Sequence, residues 1–130
     1  MNAQIIEDYV SFETAKLLKE KGFLQPNITQ YYVDIDGDEL HHGIVSYGAG
    51  KRHISSAPTL EMAMKWLRET HNIFIQVDYI WSPKELYTYT FDIYNMKSAR
   101  SIFSTPYGES FDSYEEACEA AIKYCLTNLI

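Results

Sequence analysis

The segment Pro58–Val77 constrains the fold more than any other part of the chain. Its sequence, PTLEMAMKWLRETHNIFIQV, contains a helix start, a helix body, a helix stop and the beginning of a strand. Thr59 is a suitable N-cap, and Asn72 accepts the left-handed backbone conformation that ends a helix. The segment therefore predicts a helix that ends at about His71 and leads directly into a strand.

The apolar residues of this helix fall into two sets when successive positions are spaced at 100°. The main stripe contains Leu60, Ala63, Met64, Leu67 and His71. Met62 and Trp66 lie together outside that stripe. We expect these two side chains either to form part of an interaction surface or to be covered by another segment of the chain.

Two further helices are marked by their ends. Ser11 is a candidate N-cap for a first helix that Gly22 stops. The run Ser113–Glu116 has capping-box spacing and begins an apolar stripe that continues to the C-terminus. Cys118 and Cys125 lie seven residues apart on that stripe, about 10 Å along a helix, which is beyond disulfide reach. We predict reduced core cysteines.

The strands are predicted from alternation and turn residues. Asp36-Gly37 indicates a tight hairpin in which Val33 opposes Leu40 and Tyr32 opposes His41. A short strand is expected at Ile44–Tyr47, and three more at Ile73–Ile80, Leu86–Tyr94 and Ala99–Phe103. The pattern predicts a single α+β domain over residues 1–130, ordered α-β-β-α-β-β-β-α, in which three helices pack on an antiparallel or mixed sheet of 4–5 strands.

The acidic hairpin is the best candidate for a metal site. Carboxylates and imidazoles bind divalent cations, and the hairpin is able to gather Asp34, Glu39 and His41 on one face, with His42 next to them. It is not an EF-hand, because Val45 occupies the position of the required glutamate. The alternative is a solvated hairpin tip whose charges discourage edge pairing.

Other chemical motifs are weak. The segment Tyr47–Arg52 resembles a phosphate loop in its glycines but lacks the spacing, and no GxSxG element is present. We predict no cofactor and no catalytic residues, and the question of whether the chain is an enzyme stays open.

Charge and hydropathy restrict the partners and the location. The net charge of −7 argues against nucleic-acid binding, and the basic triplet Lys51–His53 is interpreted as a solvated loop. No apolar run reaches membrane-spanning length and no secretory signal is evident, so we expect no membrane association and a cytoplasmic location.

Aromatic residues are abundant, at 15% of the chain with eleven tyrosines. Many suit half-buried strand positions. The mixed face of the predicted sheet would nevertheless expose Phe74, Ile80 and Leu86 among polar residues, a composition typical of contact surfaces. Together with Met62 and Trp66, these residues predict a protein partner or self-association, including a homodimer.

Several segments resemble a group of small uncharacterised proteins from gut bacteria and their phages or mobile elements. The resemblance lies in Ala57–Leu60, Lys65–Glu69, His71–Ile73, Ser113–Ala117 and Glu119–Ala121. It implies a kind of protein and no mechanism, because the group has no assigned activity. From the residues and the resemblance together, we predict a non-catalytic, protein-binding or self-associating accessory protein. The alternative is a small metal-binding protein or metal-dependent enzyme that uses the acidic hairpin.

Overall fold

The structure is a computed structural model that describes residues 5–25, 28–34, 37, 39–44, 51–84 and 86–130. The chain forms two compact units, residues 1–60 and 61–130. The fold is α+β, as predicted. Nothing in it tests the expectation of one domain over residues 1–130, which stays a prediction.

The first unit contains one helix and a three-stranded sheet. Its elements are α1 (Phe12–Glu20), β1 (Gln30–Asp34), β2 (Leu40–Gly43) and β3 (Lys51–Ser56). The strands are antiparallel, and β1 lies between β2 and β3. Helix α1 packs near β3, where Lys19 Nζ donates a hydrogen bond to the Ile54 carbonyl at 2.8 Å.

Helix α1 begins and ends where the sequence predicts. The Thr14 amide donates to Ser11 Oγ at 3.2 Å, which satisfies one of the free amides of the first turn. Gly22 has φ +97°, a left-handed conformation that costs glycine little because it has no Cβ. The Phe23 amide then donates to the Leu18 carbonyl, and both of these side chains are buried. The glycine stop therefore anchors the end of the helix in the core of its unit.

The second unit contains an antiparallel meander and most of α2. Helix α2 (Leu60–His71) leads into β4 (Ile73–Ser82), which is followed by β5 (Leu86–Asn95), β6 (Arg100–Ser104) and α3 (Tyr114–Asn128). The strand order is β4-β5-β6. Asn72 has φ +56° between α2 and β4, as its role as helix stop predicts.

The core of the second unit lies between α3 and one face of the sheet. Helix α3 contacts β4 and β5, and its small buried residues Ala117, Cys118 and Ala121 allow a close approach. Ser113 and Glu116 form the predicted capping box. The predicted free cysteines are also confirmed, since Cys118 and Cys125 are both unbridged and buried.

The prediction of one sheet with 4–5 strands was wrong. The described residues form six strands in two sheets, because β3 occupies residues that were interpreted as a solvated loop, including Lys51 and Arg52. The segment has no apolar alternation, and it becomes a strand by pairing with the free side of β1. The strand predicted at Ile44–Tyr47 falls mostly outside the described residues, and Ile44 itself lies outside any strand.

Candidate interaction surface

One face of the β4–β5 ladder ends in four aromatic side chains. In the antiparallel register, Tyr79 lies opposite Tyr89 and Trp81 lies opposite Tyr87. Directly opposed residues of an antiparallel pair project from the same face, so the four rings form one cluster. We call Tyr79, Trp81, Tyr87 and Tyr89 the aromatic end of the sheet.

The tyrosine rings of the aromatic end contact one another, and three of its four side chains are exposed to solvent. The Tyr79 ring stacks on Tyr87 with centroids 5.5 Å apart and lies 5.0 Å from the Tyr89 ring. Tyr79, Trp81 and Tyr87 are 59%, 58% and 67% exposed. Three adjacent aromatic side chains, each more than half exposed, therefore form a continuous ring surface.

Tyr79 carries a neutral phenol at neutral pH. Partial desolvation raises the pKa of Tyr79 above its ordinary value, and the neighbouring phenols of Tyr89 and Tyr87 raise it further. A protonated phenol both donates and accepts a hydrogen bond. The surface therefore combines apolar ring area with neutral hydroxyl groups.

The position where α3 begins explains why these rings are exposed. On the same face, Ile73, Ile75 and Ile93 are buried where α3 packs on the sheet. Tyr114, the first residue of α3, reaches Tyr89 at a centroid distance of 6.4 Å. The rings of Trp81 and Tyr87, farther along the ladder, stay exposed.

The two predicted interaction residues on α2 have different exposures. Met62 is 36% exposed, whereas Trp66 is half-buried. The Trp66 ring meets the His71 ring edge to face at 4.9 Å. Both residues stay candidates for an interaction surface, with Met62 the more accessible of the two.

The predicted interaction residues of the sheet lie on the face opposite the aromatic end. Phe74 is 38% exposed, Ile80 is half-buried, and Leu86 is 62% exposed. Phe74 and Ile80 are six positions apart along the strand, or about 20 Å, so they do not form one compact cluster. Their role in an interaction stays a prediction.

Sequence reasoning missed Tyr79, Trp81 and Tyr87 as surface residues. Alternation placed Tyr79 and Tyr87 on the apolar faces of their predicted strands, and Trp81 lay beyond the predicted strand Ile73–Ile80. The available signal was the change along β4 from Ile73 and Ile75 to Tyr79 and Trp81. Tyr and Trp are suited to the boundary between core and solvent, because each has an apolar ring and a polar group that can face water.

A groove of about 520 Å³ lies on the opposite sheet face, between the β4–β5 turn and residues 105–109. Its polar lining includes Lys84, Asp92 and Glu109, and Ser104 Oγ donates a hydrogen bond to Asp92 Oδ1. None of the described lining residues is a histidine, so the groove assembles no Ser–His pair. The groove is open and is lined by both polar and apolar side chains, so its lining does not indicate a particular reaction.

The predicted metal ligands are only partly brought together. His41 Nε2 lies 3.7 Å from Asp34 Oδ2, and Tyr32 stacks on the His41 ring. Val33 opposes Leu40 and Tyr32 opposes His41, which confirms the predicted hairpin register. Within the described part of the chain, no group of three His, Cys, Asp or Glu side chains is close enough to hold a metal ion, and Glu39 does not complete the pair. Asp36 and Asp38 lie outside the described residues.

His42 is held by aromatic and polar neighbours. Its ring stacks on Tyr31 at 4.8 Å and meets Tyr9 edge to face at 4.7 Å, while Nε2 shares a hydrogen bond with Thr29 Oγ1 at 2.9 Å. Partial burial lowers the pKa of the imidazole. A neutral imidazole that anchors β2 fits these contacts.

Comparisons with protein-family models, curated proteins and solved structures found no match. None of the helices in the described ranges is both long enough and apolar enough to cross a membrane.

The two thiols are poorly suited to nucleophilic chemistry. Burial raises the pKa of Cys118 to about 11 and that of Cys125 to about 12. Because the thiolate is the reactive form, both side chains are protonated and inaccessible at neutral pH. They serve as small core residues of α3.

Proposed function

We propose that the chain acts by binding another protein chain, without catalysis, and that the aromatic end of the sheet is its contact surface. The main support for this proposal is that Tyr79, Trp81 and Tyr87 lie next to one another on one face of a regular ladder, each more than half exposed. Large exposed apolar patches on a protein surface mark interaction sites.

The chemistry of these side chains supports protein binding. Tyr and Trp bring large contact areas with few rotatable bonds, and they are enriched among the residues that dominate binding free energy. The positions of the cluster carry no formal charge, so covering them does not desolvate an ion. A partner that covers these side chains would therefore be stabilised by the burial of apolar surface, with little cost from the desolvation of charges.

The resemblance described above supports a cellular context. We place the chain among cytoplasmic accessory proteins of phage or mobile-element type because the segments Lys65–Glu69 and Ser113–Ala117 resemble that group. The genes next to its coding sequence test this placement. Phage or mobile-element genes are expected there, and a neighbourhood of metabolic genes only would contradict it.

The binding proposal is tested with a tagged full-length chain. Proteins captured from the native host, and self-association measured by light scattering, are compared between the unmodified chain and a Trp81→Ala/Tyr87→Ala variant. We expect at least one association to fall by about tenfold or more, the effect of losing a central aromatic anchor.

Tyr107→Ala provides the matched control, because Tyr107 is fully exposed but lies outside the cluster, on the segment after β6. The control should keep the association of the unmodified chain. If the double variant and the unmodified chain associate equally, the aromatic end is not the contact surface.

A further inference from the structure

Strand β4 is a long sheet edge without a strand partner on its outer side. Its ten residues, Ile73–Ser82, pair with β5 in an unbroken register. Across the described ranges of the chain, no other strand pairs with β4 and no other backbone group is hydrogen-bonded to it. Alternate N–H and C=O groups of an edge strand point away from the sheet and are able to accept another strand.

The other three sheet edges carry features that discourage pairing. β2 has only four residues, and β3 carries Arg52 and an irregular register against β1. β6 has five residues, begins at Arg100 and has a register shift against β5. Short length, positive charge and bulges are common protections of edge strands. β4 contains no lysine, arginine, proline or register shift, and Asp78 is its one charged residue.

The sequence of β4 is complementary to itself in one antiparallel register. When two identical edges pair in antiparallel fashion, the twofold axis is perpendicular to the sheet, so only residues of the same face meet. Centring the axis on Val77 places Ile75 opposite Tyr79 of the second copy, and Ile73 opposite Trp81. The aromatic residues of β4 thereby gain aliphatic neighbours.

The opposite face agrees with the same register. There Phe74 meets Ile80, and the Gln76 amide meets the Asp78 carboxylate of the second copy. Moving the axis by one residue toward the C-terminus would place Asp78 opposite Asp78, and moving it the other way would place Asp78 opposite Phe74. Like charges directly opposed across strands are destabilising, so the first shift is disfavoured. The second shift would place the Asp78 carboxylate opposite an aromatic side chain instead of an amide.

We infer that the partner of β4 is a second copy of this chain, joined edge to edge by antiparallel pairing of residues 73–81 about a twofold axis at Val77. This inference rests on the proposed protein-binding function and names the partner. The overlap would form about eight to ten hydrogen bonds between strands. It would join two three-stranded sheets into one of six strands and continue the apolar face across the axis.

Single cysteines at the pairing positions test the register. In the inferred dimer, residue 77 meets residue 77, and opposed Cα atoms about 4.5–5.5 Å apart lie within disulfide range. Val77→Cys should therefore form a cross-linked dimer under mild oxidation. Gln76→Cys and Asp78→Cys are the matched controls, because each would face its own copy diagonally, at about 7–8 Å.

The two control variants provide a second test when mixed. Position 76 meets position 78, so the mixture of Gln76→Cys and Asp78→Cys should cross-link about tenfold faster than either variant alone, as opposed geometry predicts. This test does not depend on the half-buried site of Val77. The native Cys118 and Cys125 are buried and should not react. Light scattering of the unmodified chain should give twice the chain mass, and circular dichroism should show that each variant is folded.

Each outcome decides the inference. A dimer that cross-links at 77, or at 76 with 78, supports it. A dimer in which neither pair cross-links, or a folded monomer at every accessible concentration, overturns it. If the chain is a monomer that still captures a different protein through Trp81, the inference that the partner is a second copy is wrong, whereas the proposed protein-binding function is retained. A monomer whose associations are all insensitive to Trp81→Ala/Tyr87→Ala would overturn both.

Discussion

The two ends of the β4–β5 ladder have the same alternation but different surroundings. At the covered end, Ile75 and Ile93 are buried where α3 packs on the sheet. At the aromatic end, Trp81 and Tyr87 on the same face are more than half exposed. The alternation determines which side chains share a face, whereas the extent of α3 determines how much of that face becomes core.

The largest expected effect contrasts one residue from each end. Ile93→Ala removes a side chain that is fully buried, so we expect a loss of about 2–5 kcal/mol in the free energy of unfolding. Tyr87→Ala removes an exposed ring and should cost about 1 kcal/mol or less. Urea denaturation of both variants measures the difference. Equal losses would mean that the two ends are covered to the same degree.

The covered end should also respond to alkaline pH through the thiols of α3. The pKa of Cys118 rises from 9.0 to about 11 in the folded chain, and that of Cys125 rises to about 12. Between pH 9 and those values the unfolded state loses thiol protons that the folded state keeps, so stability falls as pH rises. We expect a loss of about 1–3 kcal/mol between pH 8 and pH 10.

Urea denaturation at the two pH values measures this dependence. Cys125→Ala is the control, because removing one thiol should reduce the difference between pH 8 and pH 10 even though the variant is less stable at both. An unchanged difference would assign the pH dependence to other groups, such as Tyr114, whose pKa is raised to about 12 by burial and by Cys118.

The smallest expected effect concerns the start of α3, which separates the two ends. The Glu116 amide donates to Ser113 Oγ at 3.1 Å, and the Ser113 amide donates to Glu116 Oε2 at 3.2 Å. Ser113→Ala should cost about 1 kcal/mol. Fluorescence and hydrogen exchange should show greater exposure near Tyr114 and Tyr89, because the first turn of α3 is less firmly held. Unchanged exchange there would show that the cap does not control the boundary.

The parts of the fold that the sequence predicted correctly depend on local chemistry. Ser11, Gly22 and Asn72 mark helix ends because their side-chain oxygens or backbone freedom act within one turn. Val33 lies opposite Leu40 because the two strands are close in sequence, and a short connection fixes which residues of a hairpin are paired. Such signals span few residues, so they can be recognised in the sequence without knowledge of the tertiary structure.

The errors concern pairings between distant residues. Lys51–Ser56 has no strand periodicity of its own and becomes β3 because β1 offers it a free side. The division into two sheets is likewise a choice among pairings that local patterns leave open. The exposure of Tyr79 was missed for the same reason, because Tyr79 has the alternation of a core residue and only the reach of α3 leaves it exposed.

The sequence by itself determined the capped helices, the faces of the strands and the self-complementary order of residues in β4. Tertiary structure alone decided which strands share a sheet, which edge is left open and which end of the β4–β5 ladder is covered. The physical reason is that capping, turn geometry and alternation act over a few residues. Burial and strand pairing depend on which distant segment packs against a given surface.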